Sequence, residues 1–156
     1  MIFAAQPASA LDPISGTAFS VDKKTAAPGD RLTLTLSLTN TETNAISFAY
    51  VHIQPTWPTN QRQDVVTPIG CGGESTDCTF GGFNSNAAFH LRTPIAPGDT
   101  RTVTVTVQIT STPTWTGPYV LNLAPYVYAE YGSDAPGYSK DRLWAEGLPE
   151  LQTVIS

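Results

Sequence analysis

One phrase occurs twice in this chain: Pro-Gly-Asp, then a segment in which apolar and polar side chains alternate without a break. The first copy is Pro28-Gly29-Asp30. It is followed by Leu32, Leu34, Leu36 and Leu38, which alternate with Thr33, Thr35, Ser37 and Thr39 up to Asn40. The second is Pro97-Gly98-Asp99, followed by Val103, Val105, Val107 and Ile109 alternating with Thr102, Thr104, Thr106 and Gln108. A period of two sends one set of side chains inward and the other to water. Pro presets φ and Gly supplies φ > 0, so each Pro-Gly-Asp reads as a tight turn that launches a strand. Antiparallel sheets with one wet face, packed as a sandwich, satisfy this pattern. The phrase constrains architecture strongly and chemistry hardly at all.

Composition agrees. The 156 residues suffice for one core. Thr is the most frequent residue, there are 13 prolines, and charged residues make up only 13% of the chain, half the usual share. The formal charge of −5 leaves no basic stripe to displace counterions from nucleic acid or to dock on anionic lipid. No apolar run approaches transmembrane length.

Residues 1–10 (MIFAAQPASA) end in Ala8-Ser9-Ala10 and read as the remnant of a secretory signal or as an N-terminal extension. Residues 11–156 read as a single β-sandwich. Cys71 and Cys78 bracket six residues. CxxC spacing and further nearby ligands are missing, so a short disulfide-closed loop is expected rather than a metal site. That agrees with export to an oxidising compartment.

Strands are expected near 16–23, 31–40, 45–54, 62–69, 77–82, 86–92, 100–110, 118–131 and 148–155. In the third, Ile46, Phe48 and Tyr50 share one phase and Val51 and Ile53 the other, which implies a bulge or a strand buried on both faces. Pro125 in the eighth cannot donate to a ladder, so that segment is expected to lie at an edge or to break in two. Residues 141–147 offer one helical turn at most. The C-terminal segment is expected to pair with its own sheet. The alternative is insertion of a terminal strand into a neighbouring copy, which would build a filament.

Val21–Asn40 (VDKKTAAPGDRLTLTLSLTN), Cys78-Thr79-Phe80, Ile95-Ala96-Pro97-Gly98-Asp99, and Gly117 ahead of Leu121-Asn122-Leu123-Ala124 together resemble one family. It is the conserved-repeat immunoglobulin-like domain of prokaryotic surface proteins, the domain of unknown function eleven. The resemblance spans roughly residues 18–130. It departs where Thr41-Glu42-Thr43-Asn44 replaces an Asn-x-Gly turn, and in the tail beyond Gly132. It implies an extracellular module of a cell-surface, adhesive or filament protein without known catalysis.

Candidate chemistry is sparse. His90, between Phe89 and Leu91, points away from the core, and His52 lies in the strand of mixed phase. Neither has a nucleophile motif beside it. No catalytic residue and no cofactor is therefore expected. Glu74, Asp77 and Asp134 could hold calcium only weakly, for want of ligand spacing. Lys23 or Lys24 with Asn122 could in principle form an isopeptide cross-link, but no acid falls at an evident core position. Trp57 and Trp115 in Pro/Thr-rich loops, and Trp144 near Tyr126, Tyr128, Tyr131 and Tyr138, could stack sugars or plug the end of the core. The expectation is a secreted, non-catalytic structural or adhesive sandwich. Its partners would be copies of itself or other surface proteins. The alternative is a carbohydrate-binding module that uses the loop tryptophans on a polysaccharide.

Overall fold

The computed structural model describes residues 16–62, 64–81, 86–131, 141–145 and 151–156. The expected leader over residues 1–10, and Asp134 and Tyr138, lie outside them. Eleven strands are present among the described residues: β1 (Thr17–Val21), β2 (Thr25–Ala26), β3 (Arg31–Thr39), β4 (Ile46–Pro55), β5 (Val66–Gly73), β6 (Ser75–Gly81), β7 (Asn86–Leu91), β8 (Thr100–Ile109), β9 (Tyr119–Tyr131), β10 (Asp141–Ala145) and β11 (Leu151–Ile155). A 3-10 turn covers Thr59–Gln61. The smaller sheet has the order β1-β3-β8-β5. The larger runs β2-β11-β9-β4-β7-β6, with β10 also paired to β9. The fold is the expected all-β, immunoglobulin-like sandwich. Its pairs are antiparallel except for β2 on β11, which is parallel.

The two Pro-Gly-Asp strands are neighbours. β3 and β8 pair from Arg31↔Gln108 to Thr39↔Thr100, so each turn lies at the far end of the other's strand. Gly29 and Gly98 take φ of 87° and 83°, as these turns require. Asp30 Oδ2 accepts from the Ala27 amide at 2.9 Å, the local bond expected of a turn aspartate. Leu32, Leu34, Leu36, Leu38, Val103, Val105, Val107 and Ile109 are all buried, and their Thr and Ser neighbours face outward. Phe89, Val51, Val127 and Ala129 of the larger sheet close the core from the other side.

Two expectations need correction. Pro125 neither breaks β9 nor puts it at an edge. β9 is continuous and pairs with β4 from Leu123 to Tyr131. On its other side β11 ends at Leu123 and β10 begins at Val127, so the amide that Pro125 lacks falls at the seam between two partners. Asp141–Ala145 is a strand, not a helical turn, because the second half of β9 offers it a ladder. Cys71 and Cys78 form the expected disulfide. They lie in β5 and β6, edge strands of different sheets, and their disulfide (Cα–Cα 6.4 Å) ties the sheets together.

Gly73, at the crossing, has φ 76°, and a Cβ there would sit 2.4 Å from the Thr102 carbonyl oxygen, so only glycine fits. Replacing both cysteines by serine is expected to cost roughly 2–3 kcal/mol in the chain-entropy account of so short a loop, read as a shift of the urea midpoint. No shift would mean that the crossing is held by strand pairing alone.

The phase slip in β4 is a bulge between Ile46 and Phe48. It returns Ile46 to the inward phase of Ala49, Val51 and Ile53 and leaves Phe48 and Tyr50 outside. The C-terminal strand pairs within its own chain: β11 is flanked by β9 and β2. No helix among the described residues is long and apolar enough to cross a membrane.

Candidate functional site

The outer face of the larger sheet is where the bulge takes effect. Phe48, Tyr50 and His52 of β4, His90 of β7, and Tyr126 and Tyr128 of β9 are all half-buried there, alternating with core residues. Pairing sets Tyr50 opposite both His90 and Tyr128, and His52 opposite Tyr126. The rings meet edge to face: Phe48 and His90 at 5.2 Å, Tyr50 and His90 at 5.5 Å, Phe48 and Tyr128 at 6.1 Å, His52 and Tyr126 at 6.2 Å. Glu130, buried beside them, accepts a short hydrogen bond from the Tyr128 hydroxyl. Burial lowers the pKa of His52 below its ordinary 6.5. In the sequence the histidines and the later tyrosines stand apart. Their convergence was encoded in the i, i+2 spacing of Phe48, Tyr50 and His52, once the bulge had set the phase.

The tryptophans behave differently from one another. Trp57 follows β4 and is 73% exposed. Its loop is pinned behind it, where the Thr56 amide donates to the Asn122 carbonyl and the Asn122 amide to Thr59 Oγ1. Trp115 is partly buried against the core and packs on Tyr119 at 4.9 Å, with Arg62 Cζ 5.9 Å from both rings. Thr114 links that cluster by accepting from Arg62 and donating to Asp64. Trp115 therefore acts as a plug, and no ring contact joins it to Trp57 among the described residues. Trp144 is placed only by register, opposite Tyr128.

The remaining candidates do not converge. Glu74 Oε2 accepts from the Thr102 amide, and its Oε1 lies 3.9 Å from Arg101 Nε, while Asp77 faces His90 at 3.9 Å. Among the described residues, no group of three or more His, Cys, Asp or Glu is placed to hold a metal. Lys23 Nζ donates to the Arg31 carbonyl, and Asn122 Nδ2 to that of Val120, as expected of residues that form no cross-link with each other.

No family model matches the chain, and no curated protein is similar to it in sequence. Solved structures share its fold. One is a type I cohesin–dockerin complex, Coh-OlpC-Doc435 from Clostridium thermocellum, with 12% identity, a TM-score of 0.62, and coverage of 97% of this chain and 99% of that one. Another is the seventh ScaB type I cohesin of Pseudobacteroides cellulosolvens, with 8% identity, a TM-score of 0.55 and coverage of 90% and 92%. A third is AvmM, which catalyses macrocyclization in alchivemycin A biosynthesis, with 11% identity, a TM-score of 0.51 and coverage of 90% and 89%. A fold shared by cohesins and a macrocyclization enzyme describes architecture and leaves activity to the site.

Proposed function

We propose that this chain is a non-catalytic, extracellular adhesive module that docks a partner protein on the outer face of its larger sheet. The observation that carries this reading is the set of six aromatic and imidazole rings on β7, β4 and β9. Clustered aromatics at the centre of a flat patch are the usual anchors of protein interfaces. Their edge-to-face packing presents ring edges rather than coplanar faces, which suits side-chain interdigitation better than the stacking of sugars. The solved cohesin–dockerin complex supports it, since there the same architecture seats a protein. The disulfide supports an oxidising location. The Pro-Gly-Asp strands support kinship with the conserved-repeat surface modules. A polysaccharide platform of loop tryptophans has weaker support, because of Trp57 and Trp115 only Trp57 presents an open ring.

The test is capture of a partner from the extracellular fraction of the source organism, followed by titration of the purified pair. Tyr50→Ala with Tyr126→Ala is expected to weaken binding by roughly 2 kcal/mol or more, about thirtyfold. Thr35→Ala with Thr104→Ala, on the opposite face, is expected to leave it unchanged. Binding lost with the threonine pair and kept with the tyrosine pair would move the interface to the smaller sheet.

A further inference from the structure

Two irregularities meet at the margin of the aromatic face. The β4 bulge lies beside Phe48, and the register of β6 on β7 slips between Thr76 and Thr79. Within that slip Asp77 takes φ 51°, rare for a residue with a Cβ, and the adjacent Cys78 is tied to Cys71. Bulges re-aim side chains, and they concentrate next to functional sites. Between these two lies a cavity of about 390 Å³, lined among others by Phe48, Thr76, Asp77, His90, Arg92 and Thr93. That volume falls in the small-molecule range of roughly 300–1,000 Å³. His90 Nδ1 is buried and makes no hydrogen bond; its nearest charged neighbour, Asp77 Oδ2, is 3.9 Å away, beyond hydrogen-bond reach.

We propose that this cavity is a saccharide subsite that takes one hexopyranose unit. The lining sets an acceptor carboxylate (Asp77), a donor guanidinium (Arg92) and the hydroxyls of Thr76 and Thr93 around one space, with the Phe48 and His90 rings as walls. Adjacent sugar hydroxyls each donate and accept, so one of them can donate to Asp77 while another accepts from Arg92. The C–H face of the ring has Phe48 to pack on. A cationic ligand would meet Arg92 and an anionic one Asp77. An apolar ligand would make no use of Asp77 or Arg92. A Ser or Thr side chain from a docking protein would leave most of the volume empty. The subsite shares Phe48 and His90 with the aromatic face of the docking reading but does not use Tyr50 or Tyr126, so the two are tested by different ligands and different variants.

Saturation-transfer NMR and calorimetry with the methyl glycosides of glucose, galactose, mannose and N-acetylglucosamine test it on the whole oxidised chain. At least one glycoside is expected to bind saturably. Asp77→Asn, which keeps a residue tolerant of positive φ, should weaken it roughly tenfold or more, the loss of one charge-assisted hydrogen bond. Phe48→Ala should do the same, with Arg92→Ala as the second probe if Phe48→Ala melts early. Trp57→Ala and the Thr35/Thr104 pair should bind as the parent does. The proposal is overturned if none of the four glycosides binds, if binding persists undiminished in Asp77→Asn and Arg92→Ala, or if it disappears with Trp57→Ala alone. It is equally overturned if Asp77→Asn weakens a captured protein partner and no glycoside binds.

Discussion

Asn40→Leu is expected to lower the free energy of unfolding by about 3–5 kcal/mol, a large share of a domain's stability. Asn40 is 1% exposed, and its side chain makes three hydrogen bonds of 2.9 Å. Nδ2 donates to the carbonyls of Asn44 and Ile95, and Oδ1 accepts from the Glu42 amide. Its backbone holds the second Pro-Gly-Asp turn as well: the Asn40 amide donates to the Asp99 carbonyl, and the Gly98 amide to the Asn40 carbonyl. Leucine would fill a similar volume while removing all three bonds: the Glu42 amide and the Asn44 carbonyl lose their side-chain partner, and the Ile95 carbonyl keeps only the Ile46 amide. Asn40→Asp keeps the acceptor and loses both donors, so it should also destabilise. Urea unfolding with an unchanged slope is the measurement. A loss below about 1 kcal/mol for Asn40→Leu would mean that water replaces the side chain and that the turn is held by its backbone alone.

Leu36→Ala is expected to cost about 2–5 kcal/mol, whereas Thr35→Ala, one residue away, should change stability by no more than about 0.5 kcal/mol. Leu36 is 1% exposed and lies between Phe19 of β1 and Val103 of β8. Its truncation leaves a cavity that two sheets cannot close by moving together, because the disulfide and the neighbouring Leu34 and Leu38 hold their separation. Thr35 faces water opposite Thr104. Equal losses at the two positions would contradict a sheet with one dry and one wet face.

Much of this molecule was legible in the residues. Alternation in Leu32–Leu38 and Val103–Ile109 is a local property, so it reported the fold, the inward set and the turns that start each strand. The orientation of His90 followed from its flanking apolar residues, and the mixed phase of β4 announced a bulge. Other features depended on partners far away in the chain. Pro125 looks like a strand breaker until β10 and β11 are seen to share one side of β9 and leave a gap at its missing amide. Asp141–Ala145 has no strand pattern of its own and is a strand only because β9 has a free ladder there.

The candidate site divides in the same way. By itself the sequence determined the sandwich, its hydrophobic register and the pairing of the only two cysteines, because periodicity and composition act over a few neighbouring residues. Tertiary structure alone decided that the cysteines join the edges of two sheets. It also buried Trp115 as a plug and left Trp57 exposed, and it brought Phe48, Tyr50, His90 and Tyr126 onto one face with Asp77 turned toward His90. The physical reason is that a one-residue bulge reverses which side of a strand each later side chain takes. Its position is set by pairing with strands more than thirty residues away, which no local pattern records.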